Sequence, residues 1–352
     1  MTKTVAPKRN STVSPVADYG YFGPESIAWR VWGYPTSLTL GLMRASVIEF
    51  FDPFLMAGFD QASSLQYRSR NRYERSIRYF GLVMFGDART VMSTTDALVK
   101  MHLKVAGIEP ISGRPFDAND GDQQLWVLLT AWHSILLSYE RFGPGPLTEA
   151  EDRQYWAECA VAAEFTTSTA DAVPTSRAGV REYFERQRPR LALHESTKQM
   201  VDFFFRNAAW LPQVPPLMAP LTWVADRVVR AAATSMLPTY MQNLSGHHQH
   251  PAVGVIVRPV LRTAFQVMNS RPWLKARLLT VLVPSAAEFL LPMIFGIPPV
   301  SPVVTTPAEA RAKYGFLTPA QSYIRVRQRK VSKKEIADAA AQIGPVLENS
   351  TS

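Results

Sequence analysis

The amino-acid sequence predicts an all-α protein built as one large helical domain, and three observations carry that expectation. Apolar residues recur three and four positions apart from Leu38 to Val283, which is the period of one helix face. Strand-like alternation is scarce over the same stretch. The breaks between periodic runs, Gly86-Asp87, Ala106-Gly107, Gly143-Pro144-Gly145-Pro146 and Leu237-Pro238, carry the chemistry that stops and starts helices.

The elements follow in chain order. Leu38 to Phe51 reads as a first apolar helix, closed by Asp52-Pro53 because proline disfavours helical backbone in the residue before it. Arg68 to Phe85 reads as a second that stops at Gly86, and Asp87 caps a third running to about Val105. Ile108 to Gly121, rich in Pro, Gly, Asn and Asp, reads as a loop. Asp122 to Phe142 is a fourth helix, dense in Leu and Trp. Thr148, with Glu151 three residues on, gives the capping-box pattern that opens the next. Helices over Arg177–Arg190, Val201–Leu211, Leu221–Met236, Arg258–Ser270 and Trp273–Val283 complete the set, with Pro212–Pro220 as an irregular connector. The longest apolar stretch, Leu278 to Pro299, is interrupted by Pro284, Glu288, Pro292 and Pro298. It reads as a kinked buried or peripheral segment rather than a span of about 20 apolar residues.

The ends differ in composition. Residues 1–18 read as a disordered lead-in, since Met1 to Pro15 carries Lys, Arg, Ser and Thr and lacks the apolar run of a secretory signal. Residues 19–322 form the helical domain. Residues 323–352 form a basic tail with Arg325, Arg327, Arg329, Lys330, Lys333 and Lys334, either solvated or a patch for a membrane or partner.

Charged residues make up 19% of the chain, low enough to suggest a large interior or an apolar contact face. The net charge of +9 favours anionic surfaces without deciding a fold. Cys159 is the single cysteine, so no disulfide forms within the chain, and it reads as a buried structural residue. Phosphate loops, dinucleotide glycine fingerprints, HExxH, CxxC and EF-hand spacings are all missing. His247, His248 and His250 lie in a loop between Pro238 and Pro251 without a nearby acid, a surface loop with adventitious metal affinity.

Two helices carry chemistry. On the third, Val91, Thr95, Leu98, His102 and Val105 fall on one largely apolar face, so His102 points inward. There it is either a hydrogen-bonded core histidine or an axial ligand to a haem iron. On the second, Arg72, Ser76, Tyr79 and Val83 share a face with Arg75 beside it, interleaved with Ile77, Phe80, Leu82 and Phe85. It is either a surface basic helix or a set of guanidinium groups facing an anion or a reacting oxygen.

The ordered set Arg72-Tyr73-Glu74-Arg75-Ser76, Phe85-Gly86-Asp87 and His102-Leu103-Lys104-Val105-Ala106-Gly107 resembles the catalytic domain of MpaB-type and rubber oxygenases. That family reads roughly R-x-x-[RK]-T, F-G-D, H-x-x-V-x-G. The similarity continues through Phe116-Asp117-Ala118-Asn119, Leu125-Trp126-Val127 and Tyr139-Glu140-Arg141-Phe142 to the helix start at Leu147, and spans about Gly33 to Gly315. The resemblance implies an all-α fold enclosing one b-type haem, with His102 as its axial ligand. It implies Arg72, Arg75 and Ser76 on the catalytic side, Arg72 also in contact with the haem. Oxidative cleavage of an isoprenoid carbon–carbon double bond by dioxygen is the activity it implies. Three departures bear on the reaction. Ser76 replaces the usual threonine, Leu128 replaces a histidine often found after Trp126-Val127, and His133 stands near a common aspartate. A distal carboxylate is not evident, Glu49 being the nearest upstream candidate.

The sequence therefore predicts a cytoplasmic haem-dependent oxygenase for an apolar, isoprenoid-like substrate. The alternative is a haem- or lipid-binding protein without turnover. Its expected partners are a small apolar or lipidic substrate and dioxygen, with peripheral membrane contact left open and no nucleic acid.

Overall fold

In the computed structural model, which describes residues 13–61, 65–205 and 219–329, the helical periodicity becomes helix almost wherever it is strong. The chain runs α1 (Ile27–Trp32), a π-helical turn (Ser37–Gly41) leading into α2 (Leu42–Glu49), α3 (Pro53–Gln61), α4 (Leu65–Phe85) and α5 (Ala88–His102). A hairpin of β1 (Ala106–Ile108) and β2 (Pro115–Asp117) follows. Then come α6 (Gly121–Phe142), α7 (Glu149–Ala163), α8 (Arg177–Gln187), α9 (Glu195–Phe205) and α10 (Ala219–Met236). The set ends with α11 (Thr239–Ser245), α12 (Pro251–Asn269), α13 (Pro272–Leu282), α14 (Ala287–Ile294), α15 (Pro307–Tyr314) and α16 (319–329).

The caps explain several boundaries. Asp87 accepts from Thr90 N at 3.0 Å to start α5, and Asp120 accepts from Gln123 N at 3.0 Å to start α6. The Thr148–Glu151 capping box opens α7 as its spacing predicts. Asp52 does more than close the first helix: its carboxylate accepts from Phe54 N at 2.9 Å at the start of α3.

The core gathers around α6, which buries Leu125, Trp126, Leu128, Leu129, Trp132, Ile135 and Leu136. Trp132 stacks edge-on to Trp32 at 5.4 Å and tilts against Tyr155 at 4.8 Å, whose hydroxyl donates to Trp132 O at 2.8 Å. Cys159 lies fully buried beside them, and burial pushes its thiol well above the ordinary range, which suits a packing residue. The π-helical turn lies close on α6 because Gly41 has no side chain: a Cβ there would sit 2.9 Å from Ile135.

The hinge between α4 and α5 is also a close approach. Gly20 has φ +64°, and a Cβ on it would stand 2.3 Å from Gly86 O. Around it Asp18 accepts from Ala88 N, and Tyr21 donates to Ala88 O, each at 2.8 Å. Residues 16–20 run alongside 300–305, with Val300 N donating to Val16 O and Tyr19 N to Val303 O. At the other end of the chain, Ser322 and Tyr323 of α16 bond Asp96 and Asp117.

Some expectations need correction. The 108–121 stretch read as loop contains β2 and part of a short antiparallel hairpin, in register Ala106 with Asp117. The third helix stops at His102 rather than near Val105, because Val105 N turns back to His102 O and its own carbonyl accepts from Ala118 N. The short helices α1, α3, α11, α14 and α15 escaped the periodicity, each being a few turns at most. Within 278–299, α14 packs Phe289 over Gly81 of α4, and among the described residues no helix is long and apolar enough to cross a membrane. The 1–12 part of the lead-in, the 206–211 end of the helix expected over Val201–Leu211, the connector up to 218 and the tail from 330 lie outside the described residues.

Candidate functional site

His102 is the last residue of α5. The buried face of that helix is Ala88, Val91, Met92, Thr95 and Val99, while Leu98 and His102 are half-buried. The face is therefore turned slightly from the stripe expected through Leu98, and His102 sits at its border. A buried imidazole in mid-face is replaced by one at a helix end, where the last carbonyls carry partial negative charge.

No local pattern marks the residue that sits beside this imidazole. Gln124 on α6 brings Nε2 to 3.4 Å from His102 Nδ1. Its amide is itself fixed, with Nε2 donating to Ala118 O at 2.9 Å and Oε1 accepting from Thr167 N at 2.8 Å. Asn119 completes the frame by donating from its side chain to Val99 O at 3.0 Å. The Phe116-Asp117-Ala118-Asn119 run thus acts as a bracket between the end of α5 and the start of α6. The Asp120 cap was the one sequence signal that such a bracket existed.

On α4, Arg75 and Ser76 are exposed, and the side chain of Arg72 lies outside the described residues. Tyr79, one turn on, is half-buried and donates to Phe165 O at 2.9 Å. Burial pushes its phenol up to about 12, offset in part by the nearby Thr95 hydroxyl of α5. Tyr79 and Thr95 therefore meet across the two helices that Gly86-Asp87 joins. Folding back from that hinge brings the 72–76 stretch of α4 and the 98–102 stretch of α5 to comparable distances along their helices. Glu49, the upstream carboxylate, closes α2 and is half-buried.

A second polar cluster lies on another face of α6. Arg44 of α2 is only 3% exposed. It donates from Nε to Met236 O at 2.8 Å and from Nη1 to Ser134 Oγ at 2.6 Å, with His133 Nδ1 at 3.4 Å. Burial lowers the Arg44 pKa to about 10, so the guanidinium stays charged at neutral pH. Burial, and then the charges of Arg44 and Arg177, push His133 down to about 3 and keep it neutral. Arg44 was missed in the sequence although it is the one cation within an otherwise apolar helix, a pattern that itself asks for a buried partner.

Two clefts open elsewhere. One of about 330 Å³ is lined by Trp29, Tyr34, Tyr139 and Lys275, whose amine burial lowers to about 8. The other lies beside His247 and His248. Neither is lined by His102. Among the described residues no three His, Cys, Asp or Glu side chains gather as a set that could hold a bare metal ion. His247 instead lies 2.8 Å from Asp202 through Nε2.

The sequence profile of the family described as ER-bound oxygenase mpaB/B'/Rubber oxygenase, catalytic domain, matches residues 29–269. No curated protein and no solved structure matches the chain.

Proposed function

This chain belongs to the mpaB/rubber oxygenase catalytic-domain family, and on that premise we propose that it is a haem-dependent oxygenase acting on an apolar, isoprenoid-like substrate. The observation that carries the reading is His102: a half-buried imidazole at the end of α5, with Gln124 Nε2 at 3.4 Å from its Nδ1. A haem brings four equatorial donors of its own and asks the protein for one axial nitrogen, which suits a lone imidazole better than a bare metal does.

The imidazole itself fits that group as a nitrogen ligand, while Gln124 presents a donor beside Nδ1 where an acceptor would suit the bound form better. His102 would hold the iron, and Arg72 and Arg75 would supply guanidinium groups that could neutralise the propionates. When bound, the haem supplies the activation of dioxygen. The chain's own part is to fix the imidazole through Gln124 and Asn119, to hold α4 and α5 at the Gly20–Gly86 contact, and to keep water out with its aromatic core. Cleaving a carbon–carbon double bond with dioxygen places one oxygen atom on each carbon and needs no external reductant.

The test is the visible spectrum of the purified, haem-supplied protein together with oxygen uptake in the presence of isoprenoid compounds. A Soret band with substrate-dependent uptake and carbonyl products supports the oxygenase. Haem or apolar ligand binding without uptake supports a binding protein instead, a second reading that the exposure of Arg75 and Ser76 favours. Absence of any Soret band would overturn both haem readings.

A further inference from the structure

The face made by α10 and α12 carries features that the oxygenase reading leaves unused. On α12, Val253, Ile256, Val260 and Val267 fall at helical spacing on one stripe that stays in solvent, Ile256 being 68% exposed and Val260 58%. Leu261 and Phe265 of the same helix are buried against the body. The helix is thus apolar well beyond the side it packs with, and folded surfaces rarely leave such a stripe uncovered without a use. Next to it on α10, Trp223 is 60% exposed, and the Arg227 guanidinium lies 4.9 Å over its ring.

Where the two helices meet the loop after α11, a cleft of about 270 Å³ is lined by Arg227 and Arg230 of α10, by His247, His248 and Gln249, and by Val253 of α12. It sets the Arg227 and Arg230 guanidinium groups beside an apolar ridge, with His247 Nε2 held at 2.8 Å from Asp202. Over residues 219–282 the sequence holds seven Arg and Lys and a single acid, Asp226.

We propose that the α10–α12 face docks on an anionic phospholipid bilayer, the apolar stripe entering the acyl boundary while the cleft at Arg227 and Arg230 receives a lipid phosphate. Aliphatic residues on one face, a tryptophan at its edge and an arginine rim are the make-up of a helix lying in a membrane interface. The charge favours one occupant: a second copy would set the Arg227–Arg230 rim against its own copy, like charge against like, whereas an anionic surface attracts it. Docking there requires neither haem nor turnover.

The full chain is sedimented with vesicles of phosphatidylcholine alone and of phosphatidylcholine mixed with phosphatidylglycerol, at low and high salt. Pelleting is expected with the mixed vesicles only, weakening as salt rises. Arg227→Ala should bind about fivefold more weakly, and Ile256→Asp or Val260→Asp about tenfold or more, with the helical circular dichroism unchanged. Equal pelleting with both vesicles or with neither, or full binding by all three variants, overturns the proposal. So does protection against thermal unfolding by inorganic phosphate in a protein that ignores vesicles, which would make the cleft a site for soluble phosphate. Self-association removed by Ile256→Asp would give the face to a second copy.

Discussion

Gln124 Nε2 faces His102 Nδ1 at 3.4 Å, and its bonds to Ala118 O and Thr167 N leave the amide no freedom to turn over. An amide donor facing Nδ1 favours the tautomer that carries its proton on Nε2. An imidazole that held iron at Nε2 would carry its proton on Nδ1, facing the Gln124 amide donor at 3.4 Å. Axial histidines are usually held by an acceptor at this point.

Gln124→Glu supplies that acceptor while keeping an oxygen for Thr167 N. The haem-loaded variant should retain haem about tenfold more tightly and reduce at a more negative potential than the wild type. Equal haem retention and an unmoved potential would mean that Gln124 does not govern the axial ligand.

Gly20→Ala tests the hinge of α4 and α5. The added methyl meets Gly86 O in a backbone conformation that disfavours any side chain. A loss of about 2 kcal/mol or more is expected in urea unfolding, together with weaker haem retention. Unchanged stability would show that the hinge relaxes freely.

Arg44→Ala strands the Met236 carbonyl and the Ser134 hydroxyl in a dry site. It should cost about 3 kcal/mol, and Arg44→Met somewhat less because it restores volume. A change within about 0.5 kcal/mol for both, the size of an ordinary surface substitution, would contradict the buried role.

The neutral His133 has a pH signature. Its pKa is lowered in the folded chain to about 3 from an ordinary value of 6.5, so between those values the unfolded chain binds the extra proton. The stability this residue contributes is complete above pH 6.5 and drains away as the pH falls towards 3. Wild-type stability measured by urea unfolding should therefore fall more steeply between neutral and mildly acid pH than that of His133→Gln. Parallel curves would show that the imidazole titrates normally.

Periodicity and caps made most of the long helices legible, because burying one face of an amphipathic segment leaves a repeat in the sequence. α5 and α7 start beside Asp87 and Thr148, the caps read in the sequence, and α6 starts at Gly121, one residue before the expected Asp122. The hairpin at 106–117 was not legible: three-residue strands are too short to show alternation, and their Pro, Gly and Asp content is that of a loop. His102 stood out as a lone imidazole on an amphipathic helix. Its burial was overestimated because the helix was carried on to Val105, past the turn that ends it. Gln124 and Arg44 left little trace, since their roles depend on contacts from α6 to the 118–119 and 167 backbone and from α2 to α10, which no local pattern encodes.

The assignment of His102 as axial ligand is tested most directly by haem occupancy and Soret position in His102→Ala beside His133→Ala. The first variant should lose its haem or hold it loosely with a shifted band, partly restored by added imidazole in the vacated space. The second should keep full occupancy, since His133 Nδ1 already faces Arg44 on a different side of α6. Full occupancy with an unshifted band in His102→Ala would contradict the account, and loss in His133→Ala alone would move the ligand there.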